Sequence, residues 1–110
     1  MINKEDFFKV KRKIEKVDVP GMKGHVYVLQ MTAQERDDYE ALLYADGENM
    51  GSRAIMVLCT ACNEDGTLIF GKDDIKNLKE IPALILQPIF NKAVDLASFS
   101  KKDIEELEKK

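Results

Sequence analysis

Hydrophobic and polar positions alternate from Lys13 to Val19, with Val17 and Val19 falling on one face, as a half-buried strand requires. Pro20-Gly21-Met22-Lys23-Gly24 then reads as a turn in which proline presets φ and the two glycines supply positive φ. His25 to Met31, rich in Val, Tyr and Leu, reads as the returning strand of a β-hairpin. Ahead of the hairpin, Phe7, Phe8, Val10 and Ile14 are consistent with one short helical turn around Phe7 and Phe8 docked on the body.

At Thr32 the period changes from two to that of a helix. Thr32-Ala33-Gln34-Glu35 forms a capping box, and the helix it opens runs to about Tyr44 or Ala45, with a polar loop at Asp46–Gly51 beyond. Ser52 is the expected cap of a second helix from Arg53 to about Ala61, where Ala54, Ile55, Val57, Leu58 and Ala61 make a broad apolar stripe. Asn63-Glu64-Asp65-Gly66 is a turn, and Thr67-Leu68-Ile69-Phe70 a short strand whose partner the pattern leaves open. Asp73 to Leu78 makes a helix of one or two turns.

Pro82 suits the first position of the most apolar helix, which extends to Ala97. Ile85, Ile89, Ala93 and Leu96 form one row; Leu86, Phe90, Val94 and Ala97 form its neighbour. Two adjacent apolar rows predict the central helix of the fold, bent at Pro88 where the bond to the Leu84 carbonyl is lost. Ser100 opens a short terminal helix carrying Ile104 and Leu107 on one side. These elements describe an α+β chain: one small domain spanning residues 1–110, with an N-terminal β-hairpin in a small antiparallel sheet packed on a predominantly helical body.

Composition narrows the function classes. The 110 residues are 45% hydrophobic and 34% charged with a net charge of −3, and no apolar run reaches the ~20 residues of a membrane span. No apolar core follows the polar N-terminus as a secretory signal would need, and the two cysteines give no disulfide framework, so a reducing cytoplasm is the expected setting. Acidity argues against nucleic acid as the main partner. The exception is Lys4 to Lys16, where six basic residues meet three acidic ones. A small regulatory protein binding nucleic acid through that stretch is therefore the alternative function. Lysines guarding a strand edge explain the same residues.

Candidate chemistry is sparse. Cys59-Thr60-Ala61-Cys62 falls at a helix end, where the dipole disfavours a thiolate, and the single histidine, His25, is too little to complete a zinc site. Packing is the expected role of both thiols. A calcium loop around Asn63 and Asp65 fails because its twelfth position is Lys72. The acid pairs Asp37/Asp38, Glu64/Asp65 and Asp73/Asp74 suit helix first turns and a turn. No nucleophile elbow or phosphate-binding glycine loop is present, so no enzyme, metal or cofactor is expected.

In order and spacing, four segments carry a resemblance. Met31-Thr32-Ala33-Gln34-Glu35-Arg36-Asp37-Asp38-Tyr39-Glu40, Asn63 to Phe70, Lys72 to Leu78 and Ser100 to Glu108 together resemble the small tail assembly chaperones of long-tailed phages and prophages. The hairpin segments Val17 to Pro20 and Val26 to Val28 also sit where that family has them. Pro88 stands where the family has a plain helix former, and Ser98 where it ends a helix with Gly.

The resemblance implies a non-enzymatic protein of the host cytoplasm, absent from the mature virion. It implies binding to the tape-measure protein, whose long apolar helix is kept soluble, and recruitment of tail-tube protein. It also implies a longer frameshifted form, for which Lys109-Lys110 is encodable by an A-rich slippery run. Phe7, Phe8, Ile104 and Leu107 are the apolar positions least claimed by the core and are the expected partner contacts. The oligomeric state stays open, a homo-oligomer included.

Overall fold

The computed structural model describes residues 1–45 and 52–97. The expected loop at Asp46–Gly51 and the terminal helix with Ile104 and Leu107 lie outside the described residues. The elements are α1 (Lys4–Phe8), β1 (Ile14–Val19), β2 (Gly24–Leu29), α2 (Ala33–Leu43), α3 (Ser52–Thr60), β3 (Ala61–Cys62), a 3-10 turn at Lys72–Asp74, α4 (Ile75–Lys79) and α5 (Ala83–Ala97). Among the described residues this is an α+β fold with one three-stranded antiparallel sheet in the order β1-β2-β3.

The hairpin pairs Val17 with Val26 and Val19 with Gly24. Alternation buries Val17, Val19 and Val28 on the face that α5 covers, while Lys16 and Asp18 turn to solvent. The connecting turn departs from expectation in one residue. Gly21 takes φ +76°, but the second positive φ, +50°, belongs to Lys23, because Gly24 is already the first residue of β2.

α2 begins as the capping box requires. The Glu35 amide donates to Thr32 Oγ1 at 3.1 Å, and the Thr32 amide to Glu35 Oε1 at 2.9 Å. α3 starts at Ser52 itself, one residue earlier than expected, and Ser52, Ala54, Ile55, Met56, Val57, Leu58 and Thr60 are all buried. A helix apolar nearly all round is a core helix. α5 packs against α3 on one side and the hairpin on the other. Both of its apolar rows face inward, burying Leu86, Ile89, Phe90, Ala93, Val94 and Leu96, and the helix runs through Pro88 without interruption.

Three expectations need correction. Ala61 does not end a helix: at Thr60 the chain turns extended, and Ala61 and Cys62 pair with Val28 and Tyr27 as β3. The Thr67–Phe70 segment, expected as a strand, makes a single bridge from Leu68 to Cys62. It folds back over a turn closed by the Gly66 amide on the Asn63 carbonyl at 2.9 Å and by the Thr67 amide on Asp65 Oδ1 at 2.9 Å. Finally, the helical turn around Phe7 and Phe8 forms but does not dock. Asn3 and Asp6 cap it locally, no residue of it is buried, and its apolar side chains are too few and too interrupted by charge to make a stripe.

Candidate partner-binding surface

The thiols are packing groups. Cys62 lies in β3 with none of its surface exposed. Cys59 is half-buried on the last turn of α3, and burial, followed by the nearby Glu35 and Asp38 carboxylates, pushes its thiol up to about 11. A thiol held neutral in this way is a poor nucleophile. His25 is exposed on β2 and meets Tyr27 edge to face, with ring centroids 5.5 Å apart. The acids have local structural tasks. Asp74 accepts the Gly71 amide at 2.8 Å, and Asp65 accepts the Thr67 amide, a bond that holds its carboxyl below the usual range. Among the described residues no three His, Cys, Asp or Glu side chains gather as a metal site needs, and no helix is long and apolar enough to cross a membrane.

What the surface does offer is apolar. Phe7 and Phe8 in α1 are 66% and 80% exposed, and Met1, Ile2 and Val10 on the same arm are also in solvent. Of the four predicted partner contacts the structure thus places two, side by side on one projecting arm. The arm is anchored at its root by Arg12, whose Nε donates to the Gln30 carbonyl at 2.9 Å and whose guanidinium pairs with the Glu35 carboxylate.

Beside that anchor lies a feature the sequence pattern did not reveal. A cleft of about 330 Å³ opens between α2, α3 and the segment 68–72. Leu42, Leu58, Leu68 and Phe70 supply apolar walls, Cys59 lies among them, and Glu35, Asp38 and Lys72 add charge to the lining. Three chain segments far apart in sequence build it.

No protein-family model and no curated protein sequence matches the chain. Among solved structures, it is similar to the tail assembly chaperone of bacteriophage HK97, with a TM-score of 0.62 over 88% of this chain and 95% of that one. The two share 15% sequence identity. The likeness is one of fold. It spans almost the whole of both chains.

Proposed function

We propose that the chain is a non-enzymatic tail assembly chaperone of a long-tailed phage or prophage. In this reading it binds the tape-measure protein in the bacterial cytoplasm, keeps that long helical client soluble, helps bring tail-tube subunits to it, and leaves before the particle is complete. The observation that carries the proposal is the fold shared with the HK97 chaperone over nearly the full length of both chains. The exposed surface supports it, since an apolar arm and an apolar cleft suit a protein whose work is covering another chain's hydrophobic face.

Phe7 and Phe8, with Ile104 and Leu107, are the proposed client contacts. Many weak contacts of this kind along one long client would bind with high avidity. The test is a pull-down with tagged chain from cells expressing the tail genes. Enrichment of one very long, helix-rich protein is expected, with little change as salt is raised. Recovery of nucleic acid, in amounts that fall steeply with salt, would overturn the reading in favour of binding through Lys4 to Lys16. Alanine at Phe7, Phe8, Ile104 and Leu107 together is expected to weaken client binding by at least about tenfold, the loss of a buried aromatic or more.

A further inference from the structure

β1 is an edge strand, and among the described residues no other strand lies along its outer side. Two bonds fix the direction of its inner side. The Gln30 amide donates to the Lys13 carbonyl at 2.9 Å, and the Met22 amide to the Val19 carbonyl at 3.3 Å. Peptide groups alternate in direction along an antiparallel strand, so residues 13, 15, 17 and 19 face β2, and the amides and carbonyls of Ile14, Lys16 and Asp18 face outward. Lys16 and Asp18 are exposed on one face of the sheet, and neither has a counter-ion among the described residues.

We propose that this edge is the pairing surface for a second copy of the chain, joined antiparallel about a two-fold axis at Val17. That register sets Lys16 opposite Asp18 of the second copy, and Asp18 opposite its Lys16. Both residues have outward backbone groups, so the two pairs exchange backbone hydrogen bonds in both directions, with an opposite-charge contact at each pair. Val17 meets its own counterpart on the face that α5 covers, which extends the apolar face of one sheet into the next. The ladder stops there, because the next pair would set Ile14 against Pro20, which has no amide to donate.

The partner is a second copy because the strand complements itself, and does so in one register. An axis at Glu15, Lys16 or Asp18 would set that residue against its own like charge, and an axis at Ile14 would set Lys16 against Arg12. Like charges directly opposite are destabilising. An axis between two residues would face outward groups with inward ones. The lysines that bar random pairing of the edge thus leave one pairing open. It uses neither Phe7 nor Phe8, so the inference does not depend on the chaperone reading.

Sedimentation velocity on the full chain reads the pairing. A contact of one short strand belongs to the small, transient class, so the dimer should fill toward ~100 μM and dissociate near ~1 μM. Lys16→Glu makes both outward positions acidic, and Asp18→Lys makes both basic. Each variant alone is expected to be monomeric, its Kd weakened at least about tenfold by two like-charge pairs. Tm should change little, because both side chains are exposed. An equimolar mixture of the two variants is expected to dimerise again, since an acidic edge then meets a basic one, and a loss caused by misfolding could not be rescued in this way. A wild-type chain that stays monomeric at ~100 μM overturns the proposal. So does a dimer that either charge reversal leaves intact, a mixture that stays monomeric, or a species that grows beyond two copies.

Discussion

At the scale of single residues, the hairpin turn sets two positive-φ positions close together with opposite consequences. Gly21 holds φ +76° without steric cost, whereas Lys23 holds φ +50° with a side chain attached. Gly21→Ala is expected to destabilise by about 1 kcal/mol, through backbone strain alone, since nothing lies within 4 Å of the added methyl. Lys23→Gly removes strain but loosens the unfolded chain, so its midpoint in urea should stay level or rise. A fall would mean that the Lys23 side chain holds the turn.

The thiol of Cys59 supplies a pH prediction at the same scale. It keeps its proton in the folded chain to about 11, whereas the unfolded thiol ionises near its ordinary value of 9.0. The stability this contributes is fully present below pH 9 and is lost as pH climbs through about 11. Tyr39, pushed up by burial, acts in the same direction. Urea titrations across that range should show falling stability, by less than the full shift implies because the thiol is partly open to solvent, and Cys59→Ala should make the fall shallower, the rest coming from Tyr39.

At the scale of elements, the start of α2 carries more than its own cap. Thr32→Ala leaves the Glu35 amide without Thr32 Oγ1 and should cost about 1 kcal/mol, or a Tm drop of roughly 4–8 °C for a domain of this size. That box was readable from four consecutive residues, and so were the hairpin and the two rows of α5, because each is a local pattern repeated along one element. The strand β3 was not readable. Two residues have no period, and Ala61 continues the apolar stripe of α3 so well that only pairing with Val28 separates strand from helix. The undocked α1 and the cleft escaped for a related reason: whether Phe8 or Leu68 is covered depends on segments distant in sequence. Pro88 was recognisable as a helix-breaking residue, yet α5 continues through it because packing on α3 and the hairpin holds both halves. Pro88→Ala, which restores the missing donor, should raise Tm; a lower Tm would mean that the sheet is fitted to a bend at Pro88.

At the scale of the whole molecule, charge is unevenly shared. The chain is acidic overall at −3, yet its arm is basic and stands next to the carboxylates of α2. In the chaperone reading the two rings of that arm are client contacts, and the lysines around them keep the arm in solution. Changing Phe7 and Phe8 to alanine should therefore weaken client binding and leave Tm unchanged, because neither ring is buried in the chain. Titration of a labelled client helix beside a thermal melt checks both halves. Weaker binding at an unchanged Tm assigns the rings to the client. Unchanged binding would move the contact off the arm, and a lower Tm would mean that the rings pack on the chain itself in solution.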